Sequence, residues 1–178
     1  MHPDPVWISL PVLAAAALPA HAVQYLTIDQ AQRALFPEAS AFKEARVMLT
    51  AAQRQTIEHT AGVRVRNAAL SAWRVDAGGK ADGWFLVDEV YGKHEFITYA
   101  VGLDATGAVR GVEIMDYRET HGGEVRNPKW RAQFAGKRAG APLALDEDVK
   151  NISGATLSCK HITDGVRRLL VTYETALR

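Results

Sequence analysis

Between Ala69 and Tyr117 four apolar-rich runs follow one another closely: Leu70–Asp76, Trp84–Tyr91, Glu95–Leu103 and Ala108–Tyr117. The segments between them, GGKADG, GKH and DATG, are turn sequences. A parallel return would need a crossover of a dozen or more residues, so runs joined this tightly must pair as an antiparallel meander. In the third run Ile97, Tyr99, Val101 and Leu103 alternate onto one face, which marks a buried side.

The flanks supply helices. Thr27-Ile-Asp-Gln30 and Thr50-Ala-Ala-Gln53 are capping boxes, in which the Thr hydroxyl accepts from the third helical N–H and Gln reaches back to the cap. Each opens a short helix, stopped by Pro37 and Gly62 respectively. These are covering elements with no chemistry in them. Past the meander, Arg118–Lys137 is broken by Gly122-Gly123 and Pro128, then offers Trp130 and Phe134 at i, i+4 as the ridge of a short helix. Leu143–Val149 reads as one more strand.

From Ser158 to Leu177, Cys159, Ile162, Val166, Leu169, Leu170, Tyr173 and Leu177 recur at spacings of three and four, with Lys160, Asp164, Arg167 and Arg168 elsewhere on the circumference. This predicts a long amphipathic helix lying on the sheet. Gly165 inside it costs about 1 kcal/mol relative to Ala, which close approach to a strand would explain. The fold class is α+β: an antiparallel sheet packed against a long C-terminal amphipathic helix, with short N-terminal helices.

Several function classes drop out. With 21 Lys+Arg against 20 Asp+Glu in 178 residues, and the basic side chains scattered, nucleic acid is not an expected partner. One cysteine, Cys159, makes no internal disulfide and no multi-cysteine metal site; its place on the apolar stripe suits a small buried hydrophobe. The six histidines include no His-x-His or His-Glu-x-x-His pair, so no metal site is expected. Gly-x-Gly-x-x-Gly and Walker sequences are missing too. Ser158, His161 and Asp164 evoke a hydrolase triad but sit on one helix, without a strained nucleophile turn. No catalytic residues are assigned.

The chain opens with VWISLPVLAAAALPA from Val6 to Ala20, followed by Ala20-His21-Ala22, an apolar segment and small-x-small site like those of a secretory signal peptide. Cleavage is expected after Ala22, and the protein is expected to be exported, periplasmic or membrane-associated. The run is shorter than the roughly 20 apolar residues that span a bilayer, and Pro11 and Pro19 interrupt it.

Just ahead of the C-terminal helix stands Asn151-Ile-Ser-Gly-Ala-Thr-Leu-Ser158. Gly154 and Ala155 let a ligand approach the backbone, free N–H groups of a first helical turn attract an anion, and Ser153, Thr156 and Ser158 add hydroxyls. The functional reading of these residues is a phosphate cradle; the simpler reading is that Ser158 or Thr156 caps the helix and Gly154 makes the turn.

Ser153-Gly154-Ala155-Thr156-Leu157-Ser158, followed by HITDGVRRLL, resembles the flavinylation motif of the FMN-binding domain family. That family includes the G subunit of the Rnf electron-transport complex and the C subunit of the sodium-translocating NADH:quinone reductase. A second family feature, a Glu-Thr-Pro-Gly-type loop near a Trp-x-x-Gln-Phe-x-Gly stretch, is similar to Glu119-Thr120-His121-Gly122 and Trp130-Arg-Ala-Gln-Phe-Ala-Gly136. Lys150, His121 and Gly123 depart from the family pattern.

The resemblance implies FMN joined through its phosphate to the Thr156 hydroxyl by a phosphoester bond. Ser153, Gly154, Ala155, Leu157 and Ser158 would line the phosphate and ribityl chain, with Glu119, Thr120 and Gly122 near the ring or phosphate. The implied organisation is a signal peptide at 1–22, an N-terminal helical segment at 23–68 and an FMN-binding domain at 69–178. The implied role is electron relay, with a flavin transferase for maturation and membrane or periplasmic redox proteins as partners. The alternative is a flavin-free scaffold or assembly module of a membrane redox complex. His121 could donate to a reduced flavin or stand solvated; Tyr117 and Trp130 could stack on the ring, though core packing is the plainer use of each.

Overall fold

A computed structural model describes residues 23–178; the expected leader at 1–22 lies outside the described residues. In chain order the elements are β1 (Val23–Gln24), α1 (Ile28–Leu35), β2 (Ala41–Met48), α2 (Ala51–Ala61), β3 (Ala69–Ala77), β4 (Lys80–Tyr91), β5 (Phe96–Asp104), β6 (Val109–Tyr117), α3 (Pro128–Arg131) and α4 (Thr156–Thr172). Short 3₁₀ turns occupy Gly123–Arg126 and Ala132–Phe134, and α4 runs on into a π-helical turn at Tyr173–Leu177.

The sheet has six strands in the order β1-β6-β5-β4-β3-β2, every neighbouring pair antiparallel. Its centre is the meander β3–β6 that the short turns require. The segment 23–68, expected as helical, also contributes strands: β2 pairs along its whole length with β3, and β1 pairs with the end of β6. Both capping boxes form, with Thr27 and Thr50 accepting from Gln30 and Gln53 and the Gln side chains returning to the caps.

Each sheet face is covered, because each carries an apolar row. Ile97, Tyr99, Val101 and Leu103 of β5 are fully buried in one cluster with Cys159, Ile162, Val166, Leu169 and Leu170 of α4. On the opposite face Val75, Phe85, Ala100 and Met115 pack with Ala31, Leu35 and Phe36 of α1 and its C-cap. Full burial stabilises such side chains by about 1.5–3 kcal/mol each, enough to fix which face α4 occupies. A smaller cluster of Leu49, Ile57, Ala61 and Val171 joins α2 to α4. Gly165 of α4 lies against the sheet: a Cβ there would come within 2.3 Å of Tyr99 Oη and 2.9 Å of Val90 Cγ1.

Two expectations need correction. Leu143–Val149 is a closed loop with a single bridge between Leu145 and Val149, not a strand. The Asp148 carboxylate folds it, accepting from Ala144 N at 2.7 Å and Leu143 N at 3.2 Å while pairing with Lys137 Nζ at 2.9 Å. Positive φ at Leu143 and Asp146 then breaks the extended path. The last helix starts at Thr156, two residues ahead of Ser158. Arg168, off the apolar stripe as its spacing requires, is nevertheless buried: its guanidinium pairs with Asp88 of β4, which also accepts from Tyr99 Oη at 2.8 Å, and donates to Arg64 O at 2.9 Å.

Candidate functional site

The two motifs converge because both lie at one end of the sheet. β6 ends at Tyr117, and the loop that follows is fixed by that residue: Tyr117 Oη donates to the His121 carbonyl. A phenol has one proton, so the 3.0 Å contact between Tyr117 Oη and Ser158 Oγ is a bond donated by Ser158. Burial pushes the Tyr117 phenol up, which keeps it a donor. Gly122 sits behind this pair at φ +92, where a Cβ would fall 2.4 Å from Tyr117 Oη. Ser158 is thus a buried tie between the loop and the first turn of α4, and neither Ser158 nor Thr156 caps the helix.

The cap position is Ala155, with no side-chain bond to it, and the N–H groups of Thr156, Leu157 and Ser158 have no hydrogen-bond partner among the described residues. The capping half of the simpler reading therefore fails, while Gly154 makes the turn as that reading expects, at φ +85. Unsatisfied N–H groups at a helix N-terminus carry partial positive charge and attract anions.

The stretch Trp130–Gly136 has a definite function in holding this segment. Trp130 Nε1 donates to the Lys150 carbonyl at 2.8 Å, and the Lys150 N–H donates to Gln133 Oε1 at 2.8 Å. Both sides of one peptide position are clamped just before Asn151. Only the backbone of Lys150 is used, which is why a basic residue is accommodated there. Trp130 and Phe134 are buried edge to face at a centroid distance of 5.2 Å, and Tyr117 is buried as well, so all three serve the core.

A cavity of about 640 Å³ opens between these elements, within the roughly 300–1,000 Å³ range of small-molecule and cofactor sites. Gly154, Ala155, Thr156, Leu157 and Ser158 form one wall and Glu119, Thr120 and His121 a second. Ser153 stands exposed in the turn before α4 and Gly122 behind the second wall; neither lines the cavity. Thr156 is exposed, and its Oγ1 accepts from Asn151 Nδ2 at 3.0 Å.

A third wall was not legible in the sequence. Lys93 and His94, at the tip of the β4–β5 hairpin, also line the cavity. Glu119 holds them there: its Oε1 accepts from the backbone N–H groups of Lys93, of His94 at 2.6 Å and of Glu95 at 3.1 Å. Burial pushes the Glu119 carboxyl up, but those N–H groups outweigh it, so it lies below the usual carboxylate range. Glu119 is therefore committed to the hairpin through Oε1, and the lysine lining the cavity comes from the hairpin itself. The only sequence signal was a turn, GKH, with two basic side chains.

Cys159 is fully buried one residue past Ser158, and burial raises its thiol pKa, so it behaves as an inert core group. Among the described residues no cluster of His, Cys, Asp or Glu could hold a metal ion, and no helix is long and apolar enough to cross a membrane.

A sheet-backed cavity walled by free helix N–H groups, an exposed hydroxyl and a lysine defines a domain suited to a phosphate-bearing ligand. Comparison with known proteins agrees: residues 92–171 match the model of the FMN-binding domain family. Among curated relatives, the C subunit of the Na(+)-translocating NADH-quinone reductase of Vibrio vulnificus is 39% identical, over 33% of this chain and 29% of its own length. The G subunit of the Na(+)-translocating ferredoxin:NAD(+) oxidoreductase complex of Acetobacterium woodii is 29% identical, over 41% of this chain and 40% of its own length. The chain thus spans well under half the length of these relatives. The crystal structure of the C subunit of the Na(+)-translocating NADH-quinone reductase from Parabacteroides distasonis shares the fold, with a TM-score of 0.52, 14% identity and 77% of each chain covered.

Proposed function

We propose that this protein is an exported electron relay whose FMN is attached by a phosphoester bond to Thr156. The observation that carries the reading is the convergence of the two motifs on one cavity, with the Thr156 hydroxyl exposed beside N–H groups that no side chain caps. When bound, FMN supplies the redox chemistry, and the protein supplies attachment, orientation and environment.

The residues divide that work. Thr156 Oγ1 would hold the FMN phosphate as a phosphoester, the hydroxyl proton leaving together with the leaving group of the flavin donor. The N–H groups of Thr156, Leu157 and Ser158 face the anion, and Lys93 adds a full positive charge on the opposite wall. The helix end contributes about 0.3–1 kcal/mol toward a unit charge, too little to retain FMN alone. A covalent link raises the local flavin concentration to the order of mM, so a half-open cavity suffices and an edge stays accessible for electron exchange. Gly154, Ala155 and Leu157 would border the phosphate and ribityl chain, Ser153 its outer margin, with Thr120 and His121 on the facing wall of the cavity.

A flavin transferase is the maturation partner on this reading. The relatives are subunits of Na(+)-translocating redox complexes by name, and a membrane or periplasmic redox protein is the partner class we assign by analogy. Export, with cleavage after Ala22, rests on the leader sequence alone and is tested by N-terminal sequencing of the mature chain.

The attachment is tested by co-expression with a flavin transferase and in-gel fluorescence of denatured protein, beside Thr156→Ala. Wild type is expected to fluoresce and the variant to stay dark. Equal fluorescence in both, or none in either, overturns the proposal, and the second outcome favours a flavin-free scaffold.

A further inference from the structure

We infer that Asn151 is the residue that presents the Thr156 hydroxyl for attachment, donating through Nδ2 to Thr156 Oγ1. This rests on the reading of Thr156 as the attachment point. Asn151 lies outside the Ser153–Ser158 motif, and its backbone is set by neighbours on both sides. Gln133 and Trp130 hold Lys150, and the Asn151 N–H donates to Asp146 Oδ1 at 3.3 Å. The chain then turns, with Gly154 at φ +85 and the Ala155 N–H donating to Ile152 O at 3.0 Å, and returns Thr156 to within 3.0 Å of the Asn151 amide. The side chain closes the mouth of that turn.

Chemically, the amide is a donor to the atom that reacts. With one lone pair of Oγ1 engaged by Nδ2–H, the Thr156 rotor is restricted and its own proton is directed away from Asn151. Esterification removes the Thr proton and leaves the anionic oxygens of a phosphodiester next to this site. A neutral donor remains compatible with that product, whereas a carboxylate in the same place repels it. Asn151 Oδ1 is buried and has no partner among the described residues, so the amide is held by the Thr156 contact on one side only.

The test follows the mass gain of the full chain with time after adding purified flavin transferase and its flavin substrate, for wild type, Asn151→Ala, Asn151→Asp and Thr156→Ala. Thermal melting of each unmodified chain is recorded alongside. Loss of one hydrogen bond to the reacting oxygen is expected to slow Asn151→Ala by about tenfold. The isosteric Asn151→Asp, which keeps the loop's shape, is expected to be slower still. Both should melt close to wild type. Modification of Asn151→Ala at the wild-type rate overturns the inference and leaves Thr156 as the attachment point. Modification of Asn151→Asp as fast as wild type overturns the donor role. A wild-type chain that gains no mass overturns the attachment reading itself.

Discussion

Gln133 and Lys150 are joined by a 2.8 Å hydrogen bond from the Lys150 backbone N–H to the Gln133 side-chain oxygen, and Trp130 takes the carbonyl of the same residue. The Trp-x-x-Gln stretch thereby becomes a clamp on the strand of chain that leads into Asn151 and Thr156, although none of its side chains lines the cavity. Gln133→Ala and Trp130→Phe each remove one of these bonds, and Trp130→Phe also leaves a small void in the core. Each is expected to cost about 0.5–1.5 kcal/mol in urea denaturation and to slow attachment at Thr156. Unchanged stability and unchanged attachment in both variants would reduce the clamp to a coincidence of packing.

Glu119 sets the acid limit of the cavity's third wall. Its carboxyl is held below the usual range in the folded state, against about 4.3 for an unfolded Glu. The unfolded chain therefore binds the proton more tightly. The stabilisation is present above the unfolded value and is lost as pH falls through the lower folded value. Hydrogen exchange at the amides of Lys93, His94 and Glu95 should accelerate selectively across that acid window, and Glu119→Gln should remove the pH dependence. Protection that stays constant down to the global acid transition would contradict this.

At Gly165 two effects of opposite sign compete. Replacing a mid-helix Gly by Ala gains about 1 kcal/mol of helix propensity. Here the added Cβ would meet Tyr99 Oη at 2.3 Å and Val90 Cγ1 at 2.9 Å. Overpacking of this kind costs about 1–3 kcal/mol, so Gly165→Ala is predicted to be net destabilising, by thermal or chemical denaturation. A stabilised variant would mean that α4 shifts off the sheet at little cost.

Arg168 and Asp88 join α4 to β4, and Tyr99, raised well above the ordinary phenol pKa chiefly by burial and then by Asp88, stays a proton donor to the same carboxylate. Arg168→Met strands the Asp88 charge and is expected to cost about 3 kcal/mol. Asp88→Asn in the same chain should recover part of that loss, which a double-mutant cycle measures. Additive losses would show that the two residues act independently.

The contrast between Arg168 and the strands shows what could be read in advance. The meander was legible because its alternation and turn lengths are local properties; Ile97, Tyr99, Val101 and Leu103 are buried as their period demands. Helical spacing placed Arg168 off the apolar stripe, but its carboxylate partner is on a strand 80 residues away in sequence. β2 escaped notice because it is an edge strand whose Lys43, Glu44 and Arg46 interrupt the apolar pattern. Leu143–Val149 had strand-like composition, and Asp148 closed it into a loop instead.

The candidate site was legible in the same uneven way. The Ser153–Ser158 motif and the Glu119–Gly122 loop pointed to one cavity, and the fold brings most of those residues to it. The roles within it were hidden. Ser158 ties α4 to Tyr117, Glu119 pins a hairpin, and Lys93 and His94 face the cavity because of that pin. Each depends on a contact between segments far apart in sequence, which no spacing rule reports.

The central claim is tested most directly by peptide mass mapping of the mature chain, produced in a host with a flavin transferase. The account predicts that the peptide containing Thr156 carries the mass of one FMN less one water, and that Thr156→Ala carries none. An unmodified Thr156 peptide, or the same flavin mass on another residue, would contradict it.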